Sequence, residues 1–284
     1  MVIEELDRKP SSCPFLFTWN GERFEFVTDF LGAGEMGYWE APGVRSVPDP
    51  TEYVRIRGEQ LRPRNGRLEL RITNELEETL FLDRVQLLAV AHPSDVDVHP
   101  NEGMTSPPKP FRLFAVADQW TPPGTDASGR DLTGSIAATD RTYPDGFPLE
   151  PIRGYAKPHA LLIDLRDGLA RGRSADVLLL TAWTDYAFSS DNVAASQAGL
   201  SHLAPALEVK DAHGRWRRAI EQIGLPVGRP QTVPVDLSGV LRPGEHVIRI
   251  VTNMRVYWDR VAVGRSLSTG SHSRVTLEPA AGVT

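Results

Sequence analysis

Apolar and polar residues alternate with a period of two along most of this chain, and the alternation predicts strands. The clearest case is Phe15 to Val27, where Asn20-Gly21 separates two runs of alternating aromatic residues. Asn and Gly tolerate the positive φ angles of a two-residue hairpin turn. That turn predicts Trp19 opposite Glu22, Phe17 opposite Phe24 and Phe15 opposite Phe26, with the aromatic face covered by a second layer. Further strands are expected at residues 53–57, 67–73, 81–90 and 111–116. A second series is expected at 159–165, 176–183, 231–237, 246–252 and 256–263, with a hairpin joining 206–210 to 215–217. Pro234 demotes its strand to a sheet edge.

Residues 118–158 break the rhythm with Pro122-Pro123-Gly124, Asp126 to Gly129 and Tyr143-Pro144-Asp145-Gly146. Asp131 is a plausible N-cap for a short helix carrying Leu132, Ile136, Ala137 and Asp140. The pattern as a whole predicts an all-β protein made of two β-sandwich domains, jelly-roll or galactose-binding-like. Residues 1–117 form the first, 118–158 a loop-rich connector, 159–264 the second, and 265–284 a tail with one strand near 274–277. Ile72-Thr73-Asn74 followed by Leu82-Asp83-Arg84-Val85 is echoed by Val251-Thr252-Asn253 followed by Trp258-Asp259-Arg260-Val261. The echo fits two related halves, although strands draw on few residue types and resemble one another by chance.

The chain has 284 residues and a net charge of −6, with acids and bases interspersed. Without a basic stripe, nucleic acid is not an expected partner. No apolar run is long enough to span a bilayer. Cys13 is the single cysteine, so no internal disulfide forms. Residues 1–9 lack a signal-peptide core, which fits a cytoplasmic chain, or a secreted or surface one cut from a longer precursor.

The densest cluster of candidate binding residues is Trp183, Asp185, Tyr186, Ser190, Asp191, Asn192 and Gln197, read as a loop after an apolar strand. Aromatic faces beside hydroxyl, carboxylate and carboxamide groups suit a hydroxylated ligand such as a carbohydrate. A loop whose aromatics plug a sandwich has the same composition. Asp95, Asp97 and His99 alternate with Val96 and Val98 and would share one strand face, which suits a divalent metal or simply a solvated face. Of Tyr257 and Trp258, one is expected to fill the core, with Asp259 and Arg260 forming a local ion pair. There is no Gly-x-Ser-x-Gly, His-Glu-x-x-His, Cys-x-x-Cys or phosphate-loop pattern, and no catalytic residue is assigned.

The strings Cys13 to Asp29, Asn74-Glu75-Leu76-Glu77-Glu78 and Val251 to Asp259 resemble a bacterial module. It is the C-terminal region of large proteins that carry FG-GAP repeats, an ASPIC/UnbV domain and often tetratricopeptide repeats. The resemblance implies a context of binding, assembly or the cell surface, and a link of some relatives to enediyne biosynthesis. It implies no catalytic residue. The function expected is a non-catalytic module recognising a carbohydrate or protein partner. The alternatives are a domain packing on propeller or helical-repeat segments of the same polypeptide, and an enzyme or tailoring protein of natural-product biosynthesis.

Overall fold

A computed structural model describes residues 15–29, 39–41, 44–45, 53–73, 85–105, 109–144, 146–226, 230–269 and 272–277. Strand accounts for 46% and helix for 8%, so the fold is all-β, as the alternation predicts. The first strands are β1 (Phe15–Trp19), β2 (Phe24–Asp29), β3 (Trp39–Ala41), β4 (Val44–Arg45), β5 (Pro63–Arg64), β6 (Arg67–Leu68) and β7 (Leu70–Thr73). Next come β8 (Val85–Val90), β9 (Asp97–Pro100), β10 (Leu113–Trp120), β11 (Gly124–Asp126) and β12 (Tyr155–Asp164). A helix α1 (Arg166–Ala170), β13 (Val177–Thr184) and a helix α2 (Ser189–Gln197) follow. The chain continues with β14 (Ala206–Lys210), β15 (Trp216–Ile220), β16 (Gln231–Asp236), β17 (Val247–Met254), β18 (Val256–Leu267) and β19 (His272–Leu277).

The opening hairpin forms with a different register. Asn20 Oδ1 accepts hydrogen bonds from the backbone N–H of Glu22 (2.9 Å) and Arg23 (3.0 Å). This side-chain cap draws Asn20 to Arg23 into the turn, and Gly21 takes a φ of +114°. Trp19 therefore pairs with Phe24 and Phe17 with Phe26, in place of the two-residue pairing. The aromatic rings stay on one face but are half-exposed, while Leu16, Thr18 and Thr28 on the opposite face are buried. Guanidinium groups cover the rings: Arg71 lies 3.6 Å from the Phe24 centroid and Arg64 4.4 Å from Trp19. β7 completes this sheet in the order β2-β1-β7.

Two five-stranded antiparallel sheets make up the larger part, ordered β16-β13-β18-β10-β9 and β11-β12-β17-β14-β15. They share one hydrophobic cluster. Leu178, Leu180, Val233, Val261 and Trp258 come from the first sheet, and Leu161, Ile163, Leu207, Ile248 and Ile250 from the second. The first sheet is apolar on its other face too, where Phe114, Val116, Val177, Leu179 and Ala262 form a separate cluster. That explains why Val177 to Leu180 read as an uninterrupted apolar run. This sheet curls until its edges β9 and β16 approach each other. Met104 and Leu225 exchange backbone hydrogen bonds beyond those edges, at 3.0 and 2.9 Å, and Arg112 pairs with Asp236 at 2.6 Å. β16 is the edge that Pro234 requires.

The expected boundary after residue 117 falls inside β10, which pairs with both β9 and β18. The 118–158 stretch is likewise no free connector. β11 pairs with β12, and Leu132 and Ile136 are buried in the shared cluster. The helix expected there is a single 3-10 turn, Gly134–Ile136, with Asp131 accepting the Thr133 N–H at 2.9 Å. Residues 53–57 are described but form no strand. The expected strand near 274–277 exists and pairs with β8, so residues 272–277 return to residues 85–90. The reason is common to these differences: pairing partners far apart in sequence leave no trace in local periodicity. Cys13, the 74–84 half of the internal echo and the 81–84 start of its strand lie outside the described residues.

Candidate functional site

The covered face of the first sheet carries a polar band amid apolar residues. On β13, Thr181 shares this face with Val177 and Leu179, and its hydroxyl meets that of Thr232 on β16 at 2.9 Å. The next strand, β18, places Arg260 opposite Thr181. Arg260 Nη2 donates to Gln119 Oε1 on β10 at 2.8 Å. Gln119 Nε2 donates in turn to Asp97 Oδ2 on β9 at 3.0 Å, and Arg55 Nη2 donates to Asp97 Oδ1 at 2.8 Å. Side chains from all five strands thus line up across the sheet, and Arg55 closes the row from outside it.

Two β-bulges aim this row. The β10–β18 register shifts between Ala117 and Trp120, which turns Gln119 toward Asp97. Asp118 takes a φ of +52° in the bulge, and Arg265 Nε holds its carboxylate at 2.8 Å. Only glycine fits opposite: a Cβ on Gly264 would sit 2.6 Å from the Ala117 carbonyl oxygen. The second bulge lies in β18, where Asp259 is the extra residue. Its carboxylate is buried and accepts the N–H groups of Asp140 (3.2 Å) and Arg141 (2.9 Å). Burial pushes the Asp259 carboxyl above its usual value despite those donors. The Asp259–Arg260 ion pair expected from sequence is therefore replaced by two separate engagements.

At the Trp183 end of β13, on the same face, lies an aromatic group. The Trp183 and Tyr257 rings stack at 4.7 Å and 13°. Tyr143 meets both edge-on at 6.1 and 6.0 Å, and Phe147 lies 5.2 Å from Tyr257. Phe147 also stacks on His159 at 4.4 Å. All five rings are half-buried. Burial raises the Tyr143 and Tyr257 hydroxyls and lowers His159. Trp258, on the opposite face, is the ring that fills the core.

The other residues expected to line a binding loop go elsewhere. The loop is in fact the end of β13 followed by α2, with Asp191 Oδ2 accepting the Phe188 N–H at 2.9 Å at the helix start. Asp185 is 8% exposed and is held by Arg255 at 3.2 Å and Arg153 at 3.6 Å, so it serves the fold. Tyr186 packs against the shared core. Asn192 Oδ1 accepts the Tyr155 hydroxyl at 2.9 Å. Ser190 and Gln197 are exposed on α2. Trp183 alone of this set joins the aromatic group.

For the metal reading, Asp97 and His99 do share a strand face, but Asp95 lies in the turn before β9. Arg55 sits where a cation would, 2.8 Å from Asp97 and 3.2 Å from His99 Nε2. Among the described residues no group of three or more His, Cys, Asp or Glu side chains is arranged to hold a metal ion. The metal expectation is corrected accordingly. His99, with the Gln119 and Arg55 hydrogen bonds, holds the Asp97 carboxyl well below the usual carboxylate range, against the opposing effect of burial. Burial pushes His99 itself below its usual value.

Sequence reasoning missed Thr181, Thr232, Gln119 and Arg55, and gave Arg260 a different partner, Asp259. One signal was present: Thr181 is the single polar residue in the run Val177 to Trp183. The chain matches no family model, no curated protein and no solved structure. No helix among the described residues is long and apolar enough to cross a membrane.

Proposed function

We propose that this protein is a non-catalytic binding module that recognises a hydroxylated ligand of the carbohydrate class. The observation that carries the reading is the half-buried Trp183–Tyr257 stack on the same face as a hydrogen-bonded row of hydroxyl, guanidinium and carboxamide groups. Sugars need an apolar ring face to rest on and side chains that both donate and accept. Thr181 and Thr232 supply hydroxyls of that kind, and Arg260 supplies donors. Asp97, Asp185 and Asp259 are each occupied by N–H donors, which leaves them poorly suited to acid–base chemistry. Two sheets sharing one core support a sandwich of galactose-binding-like type over residues 97–267.

Glycan-array screening followed by calorimetry tests this reading. Trp183→Ala and Tyr257→Ala are expected to weaken binding about tenfold each, and Thr181→Val by less. Absence of any glycan hit, or variants that bind as the parent does, would remove it. A protein partner is the second reading. Phe188 and Val193, 47% and 57% exposed at the start of α2 and on it, favour that reading. The likeness to modules of FG-GAP and ASPIC/UnbV proteins is compatible with both.

A further inference from the structure

A separate site lies at the opposite end of β13, beyond the shared core. Helix α1 ends in a tight turn: Gly172 takes a φ of +74°, and the Arg173 N–H returns to the Gly168 carbonyl at 3.0 Å. Arg171 and Arg173 flank that glycine, so the backbone presenting both is fixed. Gly168 packs closely against the Trp120 indole, and a Cβ there would come 2.2 Å from the ring. Trp120 Nε1 is already committed to the Ser174 carbonyl at 3.1 Å. Between these parts is a cleft of about 200 Å³ lined by Trp120, Thr121, Asp167, Gly168, Arg171 and Arg173.

The two arginines differ from the ion-paired ones of this chain. Arg55, Arg112, Arg166, Arg217, Arg249, Arg255 and Arg265 each have a carboxylate partner. Arg171 and Arg173 are exposed, and neither has an acidic partner within 4.0 Å among the described residues; the nearest aromatic contact is Arg173 at 5.9 Å from the Trp120 ring. Asp167 is the one acid on the cleft wall. Two guanidinium groups against one carboxylate leave the cleft cationic on a molecule of net charge −6. Guanidinium forks match the oxygens of a phosphate group and form charge-assisted hydrogen bonds with it. A cleft of 200 Å³ is below the roughly 300–1,000 Å³ of pockets for drug-sized ligands, so its occupant is small.

We propose that this cleft binds a small phosphate-bearing anion through Arg171 and Arg173. The assignment is independent of the carbohydrate reading, since the cleft shares no residue with the band or the aromatic group. Two sources carry this chemistry, inorganic phosphate and a small phosphate monoester. The test titrates the full chain with inorganic phosphate and, separately, with glycerol 3-phosphate at constant ionic strength set by chloride, following calorimetric heat and Tm. A saturable heat with a rise in Tm is expected for at least one probe. Arg171→Gln and Arg173→Gln should each weaken it about tenfold, the loss of one charge-assisted contact. Arg215→Gln, outside the cleft lining, should leave it unchanged. Tighter binding of the ester assigns the monoester; equal or weaker binding assigns free phosphate. No saturable heat with either probe, or equal affinity in the parent and both variants, would overturn the proposal.

Discussion

The two five-stranded sheets differ in what their far faces do. In β11-β12-β17-β14-β15, the face away from the core carries half-exposed Leu162 and the ion pairs Arg249–Glu208 and Arg218–Glu208. In β16-β13-β18-β10-β9, the corresponding face is closed over by the curl, and Val116, Val177, Leu179 and Ala262 are almost fully buried. Polar groups on the open face can exchange partners with water. On the closed face Thr232, Arg260, Gln119 and Asp97 are half-buried among these apolar residues, and each has a fixed protein partner. The result is a row in which Gln119 has a donor on one side and an acceptor on the other. Charge near the open surface clings to what is nearby; charge within the curl fixes register.

The largest expected effect that would break the contrast is in the cores. Leu179→Ala should cost about 2–5 kcal/mol, because the curl cannot collapse into the void. Leu162→Ala on the open face should cost about 1 kcal/mol. Urea denaturation of both variants checks this, and equal costs would show that the first sheet is not closed. Gln119→Ala comes next, at about 1–3 kcal/mol, since it removes a donor from Asp97 and an acceptor from Arg260.

The closed face should also carry a pH signature. His99 is held below its usual 6.5, so the unfolded chain binds a proton that the folded one resists. Stability should therefore fall as pH drops below about 6.5. Asp97 adds stability above 3.8 that is lost as pH falls further, because its folded value lies lower. His99→Gln should flatten the Tm profile below about pH 6.5, by the His99 share alone, as His159 and His202 are lowered too. An unchanged profile would place His99 outside the acid response. The smallest effect is expected on the open face: Arg218→Ala should cost about 1 kcal/mol or less, because Glu208 keeps Arg249.

The sequence made the strands legible wherever burial alternates, as in β1 and most of β17, and the Pro234 edge was legible from its proline. It also showed the aromatic hairpin, but not its register, which the Asn20 carboxamide decides. α2 was missed because Ser189, Ser190, Asp191 and Asn192 are turn and cap formers, and only the Asp191 carboxylate behind Phe188 marks a helix start. Trp183 was visible as an aromatic beside polar groups. Its neighbours Tyr143 and Tyr257 come from segments distant in sequence. The polar band was invisible for the same reason: Arg55, Asp97, Gln119, Thr181, Thr232 and Arg260 converge only through the sheet order.

The pairing of β8 with β19 has a consequence for how the molecule is made. Residues 85–90 leave the ribosome long before His272–Leu277 exist, and β9 and β10 likewise precede their neighbour β18. Several early strands must wait, edges unsatisfied, until residues 256–277 are made. Closure of this architecture thus follows the making of β18 and β19, and a chain stopped before residue 272 should be a substrate for chaperones and proteases.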